Sequence, residues 1–587
     1  MISVNFKAAI TKPLSLAIIL FFLSLFIRTV LLDKIPIGIT NDNMIFVLNA
    51  KAVFYTGRDV TGTWHPLSFS TIPDEPGQAE IPYAYLAPTV GLLSPPLFAA
   101  HIFHAVANAF FVAILFFIVL KLLGKGPAFI VGLIACFNPW SIFFSRSAFE
   151  ASLALFFYIV ALFVLLKTRG WHKLWTIFPL ALGFYTYMAY KVTFLPYVFL
   201  ISYYVWSQVD HKKYTRQYIS LLALCLLLFL TFLSHAKSQS TSNRLAELTF
   251  VPLTAVGEEV NMERKIALRN PASDFFSNKA SASVKRIIVK YLDAFSPNYL
   301  FIKNEGTMRF NIYNHGYFYY FDLLFFILGF YYLFTQRRKL WLFLTGLLLI
   351  APLPTVVSSV ETSYAMRSSL YIPFLYIFIG AGIWYAITFF KNKTFNKGTT
   401  AIIAATYTIF VANFLYSYFF IQPVYGAEGS AFSARLLSRY ADISNQENKK
   451  ITIAGIDPKV LYKDFIYYSG SYKKQTADHF KNAFLSHNYT FENISFEKCE
   501  DIKKIEKNTT YIFEPGENCQ VFDKAKPTIV IPQLSDSGTI YAIYHDSICS
   551  QYDLKRFVSN LRMSDLSIEQ LSKKNFCETF IIDYQRK

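Results

Sequence analysis

Ile35-Pro36-Ile37-Gly38-Ile39-Thr40-Asn41-Asp42-Asn43 opens the first polar stretch of the chain, directly after an apolar run from Leu14 to Leu32. The stretch extends from Leu31 to Leu86 and carries Thr56-Gly57-Arg58-Asp59, His65-Pro66-Leu67, Asp74-Glu75-Pro76 and Glu80-Ile81-Pro82-Tyr83. Loops much longer than a dozen residues are usually functional or disordered. The interleaved Trp64, Phe69, Tyr83 and Tyr85 argue against disorder. The run before it lacks a small-residue cleavage site followed by a polar mature region, so it reads as a retained span. The polar stretch is then the first loop beyond a membrane.

Composition agrees. Of 587 residues, 54% are hydrophobic and 16% charged, and mean hydropathy is +0.35. Runs near the ~20 apolar residues that cross a hydrocarbon core recur along the chain, which excludes a soluble protein. The net charge of +18, from 56 Lys+Arg against 38 Asp+Glu, could suggest nucleic acid. Its placement beside the apolar runs points instead to cationic flanks of membrane spans.

Lys7 and Lys12 precede the first span, which puts the N-terminus in the cytoplasm under the positive-inside rule. Span two (about Pro96 to Leu120) ends at Lys121 and Lys125. Span three (about Ala128 to Phe143) leads to Ser145-Arg146-Ser147-Ala148-Phe149-Glu150, and span four descends to Lys167, Arg169, His172 and Lys173. Trp175 to Trp206 is too long for one span and breaks at Tyr190-Lys191. Span seven (about Tyr218 to Leu233) leads to a long outer loop, 235–315. Spans eight to ten place Arg337-Arg338-Lys339, Lys391, Lys393 and Lys397 inside, and span eleven (about Ala401 to Ile421) carries the chain out. The expectation is about eleven spans in a multi-pass plasma (inner) membrane domain, 1–421, with the first outer loop at 33–95.

From Gln422 to Lys587 the apolar runs become short and alternating (Lys450 to Ile456, Thr528 to Pro532, Thr539 to Tyr544). They predict strands in a mixed α/β domain outside the membrane. Four of the six cysteines, Cys499, Cys519, Cys549 and Cys577, lie there. In an oxidising compartment they suggest two disulfides, with three connectivities open, although unpaired thiols remain an alternative. The spacings are too wide for a zinc site. Cys136 and Cys225 fall inside spans, as packing residues.

On this ladder Asp42, Asp59, Asp74, Glu75, Glu80 and Glu150 all face outward near span ends, where acids are functional candidates. A carboxylate there can take a proton from an acceptor hydroxyl. Asp42 is the best placed, with an Asx-turn or helix N-cap as the structural alternative. Glu150 follows, with a helix-terminal carboxylate partnered by Arg146 as its alternative. Lys191, Arg309 and Arg367 are outer cations against the positive-inside trend, a set suited to a lipid phosphate, although each alone is explained as an interfacial snorkelling residue. Tyr and Phe number 99 together (39 and 60), largely an aromatic belt. With no P-loop, GxGxxG or HExxH in the sequence, chemistry on this face calls for an already activated, lipid-borne donor.

Several blocks resemble the GT-C membrane glycosyltransferases, family-39-like members related to protein O-mannosyltransferases and aminoarabinose lipid A transferases. They are Ile35-Pro36 with Asn41-Asp42-Asn43 and Thr56-Gly57-Arg58-Asp59; Asn138-Pro139-Trp140 with Ser145-Arg146 and Phe149-Glu150; Tyr185-Thr186-Tyr187 with Lys191 and Pro196; Asn278-Lys279 through Tyr299-Leu300-Phe301 to Arg309 and Gly316; and Arg367. They occur in family order over roughly residues 15 to 420. The resemblance implies inverting transfer of a sugar from a polyprenyl-phosphate donor to an acceptor hydroxyl of a cell-envelope glycan, lipid or protein. Asp42 and Glu150 are then the catalytic carboxylates, and Lys191, Arg309 and Arg367 hold the donor phosphate. Glu80, Tyr187 and His65 meet substrate, and the C-terminal domain helps to present the acceptor.

The chain departs from the family pattern in three places. The second acid of the Asp-Glu pair is Asn43, which puts a possible divalent metal in doubt. Glu80-Ile81-Pro82 replaces Lys-Pro-Pro, and Lys191 stands where Arg is common. A non-catalytic transporter or flippase, or a binding protein for lipid-linked sugars, is the alternative. The first of these predicts mid-span charges and paired broken helices.

Overall fold

The computed structural model describes residues 12–68, 70, 72, 79–236, 253–268, 272–306, 309–358, 364–506, 508–514, 526–536, 538–558 and 560–584. Asp74, Glu75 and Cys519 lie outside them.

Every rung of the expected ladder is helical. The apolar helices are Pro13–Thr29, Pro96–Leu123, Lys125–Phe137 with Pro139–Ser145, Glu150–Lys167, Ile177–Thr186, Tyr190–Tyr204, Thr215–Ala236, Tyr320–Gln336, Arg338–Ile350, Ile372–Thr388 and Lys393–Tyr416. Among the described residues, seven helical segments are long and apolar enough to cross a membrane by themselves, and the bent pair at Asn138 makes up to eight. The remaining rungs are shorter. Ile177–Thr186 has 10 residues and Tyr320–Gln336 has 17, which at 1.5 Å per residue is about 15 and 26 Å against a hydrocarbon core of about 30 Å. The long run beginning at Trp175 does divide, at Tyr187–Ala189, between two helices.

The bent span is closed by a buried arginine. Helix Lys125–Phe137 turns by 54° into Pro139–Ser145 because Pro139 withdraws a backbone donor, freeing carbonyls one turn back. Arg28 fills that gap, donating to the carbonyls of Ala135 (3.0 Å) and Cys136 (3.3 Å) and to Ser141 Oγ (2.6 Å). Asn138 caps the second helix by accepting from Ser141 N at 3.0 Å. Elsewhere Gly329 and Gly382 let two helices touch backbone to backbone. A Cβ on Gly329 would lie 1.8 Å from the Phe378 carbonyl oxygen, and one on Gly382 would lie 1.9 Å from that of Phe325. Small residues at such crossings are the membrane solution to close packing.

Helix Pro96–Leu123 has 28 residues, about 42 Å of rise, and it separates two ends of the bundle. At its C-terminal end the charges of Lys173, Asp210, Lys167 and Arg169 act on Lys121, and Lys173 and Asp210 pair at 2.9 Å. At its N-terminal end the Pro96 carbonyl accepts from Tyr467 of the C-terminal domain at 2.9 Å. The first loop is itself built, with helices Asn41–Thr56 and Pro82–Leu92 packed on each other.

The C-terminal sheet comprises β1 (Lys450–Ala454), β2 (Tyr489–Phe491), β3 (Ile494–Glu497), β4 (Thr509–Phe513), β5 (Ile529–Pro532), β6 (Thr539–Tyr544) and β7 (Ile582–Asp583). The order is β2-β3-β1-β4-β6-β5-β7. β1 pairs parallel with β3 and β4, and the remaining pairings are antiparallel. All three expected strands form. β1 and β5 are buried almost throughout rather than alternating, as strands covered on both faces must be, and the helix Phe432–Gln446 packs on β1, β5 and β6. Cys549 and Cys577 form a disulfide, and Cys499 is disulfide-bonded. Cys136 and Cys225 are buried free thiols.

Three consecutive residues of the first loop are gripped by this domain. Arg435, fully buried and doubly bonded to Glu569 (2.6 and 2.7 Å), donates to the Ile37 carbonyl at 2.7 Å. Tyr468 Oη accepts from Ile39 N at 2.9 Å. Between them Gly38 lies so close to Ser430 that a Cβ would fall 2.1 Å from its carbonyl oxygen.

Candidate active site

The gripped segment leads into helix Asn41–Thr56. Its N-cap is Thr40, whose side chain accepts from Asn43 N at 3.3 Å, and Gly57 closes it in the left-handed region at φ 74°. Asp42 is therefore not the cap. It lies in the first turn, where the helix dipole favours a carboxylate. Its Oδ2 accepts from Arg309 Nη1 at 3.0 Å, and the two side chains are 57% and 52% exposed. Arg309 comes from the long loop. Its neighbour Phe310 packs on Phe149 with ring centroids 5.3 Å apart, and the Asn311 carbonyl accepts from Gln422 Nε2 at 2.8 Å.

A narrow cleft with room for about one water is lined by Thr40, Asn43, His101, Ser147, Phe149 and Arg309. Its walls come from the first loop, helix Pro96–Leu123, the Phe149 turn and the segment entering the C-terminal domain.

Glu80 and Lys191, expected in separate roles, are each other's partner. Lys191 Nζ donates to both carboxylate oxygens at 2.8 and 2.9 Å, and both side chains are buried. The ammonium also lies over the rings of Phe232 and Phe184, at 4.8 and 5.4 Å. Burial pushes the Glu80 carboxyl above its ordinary value, against the pull of Lys191. The backbone N–H of Glu80 donates to the Tyr185 carbonyl at 3.2 Å.

Glu150 starts helix Glu150–Lys167. Its charge acts on Tyr85, whose hydroxyl donates to Thr186 Oγ1 at 3.1 Å, while the preceding Phe149 lines the cleft. Arg146 turns elsewhere and donates to the carbonyls of Ile27 and Ile35 at 2.9 and 2.8 Å. Arg367 ends a short helix, Tyr364–Arg367, and donates to Ser358 Oγ. The Ser358 carbonyl accepts from Lys290 at 2.8 Å. Tyr187 is buried against Tyr190, with ring centroids 5.5 Å apart, and His65 is exposed on the first loop. Asp59 is a buried turn carboxylate that accepts from Thr63 N, Trp64 N and Thr61 Oγ1 at 2.9, 3.0 and 2.7 Å.

The structure thus brings Asp42 to Arg309 and Glu80 to Lys191, with Arg367 in its own basic group beside Lys290. Sequence reasoning missed His101 and Gln422. His101, His104 and Asn108 are buried polar residues on helix Pro96–Leu123. Their i, i+3, i+7 spacing in an otherwise apolar helix was a readable signal. Among the described residues no three His, Cys, Asp or Glu side chains form a metal-binding group. Asp42 is engaged by the guanidinium of Arg309, which lines the cleft.

No protein-family model matches the chain, and no curated protein matches it in sequence. Among solved structures, its fold is similar to that of ArnT from Cupriavidus metallidurans in the apo state (12% identity, 90% of this chain and 97% of that one, TM-score 0.48). It is similar to ArnT from Cupriavidus metallidurans bound to undecaprenyl phosphate (10%, 92% and 98%, 0.48). It is also similar to the archaeal oligosaccharyltransferase AglB from Archaeoglobus fulgidus in complex with an inhibitory peptide and a dolichol-phosphate (10%, 79% and 64%, 0.43). This chain is a multi-pass helical membrane protein with a C-terminal mixed-sheet domain.

Proposed function

We propose that the protein is a membrane glycosyltransferase that moves a sugar from a polyprenyl-phosphate donor to an acceptor hydroxyl. The observation that carries this reading is the exposed pair of Asp42 with Arg309, a residue that lines the cleft. Asp42 accepts the proton of the acceptor hydroxyl as its oxygen attacks the anomeric carbon. The bond from that carbon to the phosphate oxygen breaks with inversion, and Arg309 stabilises the charge gathering on the departing lipid phosphate. An exposed pair separates at little energetic cost, so Arg309 can exchange Asp42 for phosphate. Lys191 is already neutralised by Glu80 and acts here by fixing the turn that ends at Tyr187. Arg367, joined through Ser358 to Lys290 of the long loop, forms a second basic group for the donor phosphate. The gathering of Lys121, Lys167, Arg169 and Lys173 at the other end of the bundle supports an outer-face site under the positive-inside rule.

The test is transfer from polyprenyl-phosphate sugars in membranes holding equal amounts of wild type or Asp42→Asn. Transfer by the wild type alone supports the reading. Equal transfer by both moves the base to Glu150, and no transfer from any donor sinks the proposal.

A further inference from the structure

One long apolar helix stands off from the rest of the bundle. Within the segment Lys393–Tyr425, 6% of the most apolar stretch is buried, against 22–78% in the other described segments long and apolar enough to cross a membrane. Between this helix and helices Lys125–Phe137 and Ile372–Thr388 lies a groove of about 950 Å³, near the upper end of the range of small-ligand pockets, about 300–1,000 Å³. Packed helices leave few voids larger than a water, so a space of this size is room for a ligand. A polar bridge crosses it. The Tyr407 hydroxyl donates to Asp322 Oδ1, and Asp322 Oδ2 accepts from Tyr319 N at 2.9 Å.

The lining selects hydrocarbon. Phe129, Ile130, Leu133, Ile403 and Val411 make the walls apolar, and an apolar cavity stays dry. Thr400, Ala404, Thr408 and Ala412, which also line it, recur every four residues and so share one helix face. Such a face of small side chains normally draws a second helix close, whereas here it widens the groove.

Charge and length select the kind of lipid. Lys125 lines one end. The next residue, Gly126, packs so closely on Trp384 that a Cβ would lie 2.2 Å from its ring. That contact brings Lys125 toward the turn carrying Lys391 and Lys393, which joins helix Ile372–Thr388 to helix Lys393–Tyr416. From this basic end helix Lys125–Phe137 rises about 18 Å, and the run from Thr400 to Leu415 about 22 Å. One leaflet with its head groups is about 20–22 Å thick, half of a bilayer. The groove therefore has the length of one phospholipid, with cations where the head group falls.

We propose that this groove seats one anionic diacyl phospholipid from the leaflet on the basic side, its head group at Lys125 and its chains along Thr400–Leu415. The lipid braces a helical segment that runs on to Gln422, whose side chain donates to the Asn311 carbonyl two residues from Arg309. Its seat is independent of the reaction at Asp42.

Native mass spectrometry of the full-length protein in a phosphorus-free detergent tests this, with phosphatidylglycerol and phosphatidylcholine of identical chains as probes. The wild type should retain phosphatidylglycerol at least about fivefold better than phosphatidylcholine, and Lys125→Gln should lose most of that preference. Ala404→Trp, which puts an indole into the groove, should lower retention of both lipids. Ile402→Trp, at an exposed position outside the lining, should not. Melting curves check that each variant is folded, and if Ala404→Trp is not, Lys125→Gln carries the test. Equal retention of the two lipids by the wild type, or equal retention by the two Trp variants, overturns the inference. So does polyprenyl phosphate displacing phosphatidylglycerol, which assigns the groove to a donor chain, or a dimer that Ala404→Trp abolishes, which assigns it to a second copy.

Discussion

The Asp42 carboxylate and the Arg309 guanidinium meet at 3.0 Å across 267 residues of chain, and both remain about half exposed. Ion pairs in that setting contribute little to stability, typically within about 1 kcal/mol. Asp42→Asn and Arg309→Ala should therefore leave the melting temperature nearly unchanged while lowering transfer by about a hundredfold to a thousandfold, the usual cost of losing an electrostatic catalytic group. Thermal unfolding run beside the transfer assay checks both halves. A large fall in stability would assign the pair to scaffolding instead.

Glu80 and Lys191 should behave in the opposite way. Both are buried, and removing one partner strands the other's charge, at a cost of about 3–5 kcal/mol. Lys191→Met alone should lower the melting temperature sharply, and Glu80→Gln added to it should recover most of the loss. A double variant as unstable as the single would show that the two residues are not coupled.

Gly382→Ala places a methyl group where the Phe325 carbonyl lies 1.9 Å away. Overpacking of this kind costs about 1–3 kcal/mol. Gly398, where an added Cβ would meet nothing within 4 Å, serves as the control: Gly398→Ala should be close to neutral on the same melting curve.

Asp464 sits in helix Pro458–Tyr468 of the C-terminal domain, buried, with neither carboxylate oxygen hydrogen-bonded. Burial pushes its pKa up to about 8, against the pull of Lys463. The folded state then holds a proton that the unfolded chain releases near pH 4, so stability falls as pH rises from about 4 to 8. Asp464→Asn removes that dependence. Its melting temperature should exceed that of the wild type by more at pH 8.5 than at pH 5, to the extent that about four pKa units are at stake. Parallel pH profiles for the two proteins would contradict this.

The large-scale plan was legible in the sequence because it follows from local patterns. Apolar runs, clustered Lys and Arg, and short alternating stretches located the helices and β1, β5 and β6. Asp42 and Arg309 were each legible as candidates, as an acid and a cation on the same face. That they touch was not, since the contact depends on Phe310 meeting Phe149 and Asn311 meeting Gln422. Glu80 and Lys191 were assigned separate tasks for the same reason, 111 residues apart in sequence and bonded in space. Asp59 is the converse case. It looked like an outward acid, but Thr61, Thr63 and Trp64 immediately after it supply three hydrogen bonds to its carboxylate, a local turn of the kind Asp favours. The short rungs of the ladder escaped a reading by hydropathy because a 10-residue apolar helix and half of a full span have the same local composition.

The grip of Arg435 and Tyr468 on Ile37 and Ile39 spans 398 and 429 residues of chain, and this imposes an order on how the protein is made. The ribosome completes the Asp42 helix early, yet the contacts that anchor the segment entering it come from residues translated near the end. The cleft stays unfinished until the last domain has folded, since Gln422, Pro423, Gly426 and Ser430 complete its lining. A chain stalled or cleaved after the final span would carry Asp42 on a segment without these two anchors. The order of synthesis thus ties the geometry of the first loop to the folding of the last domain.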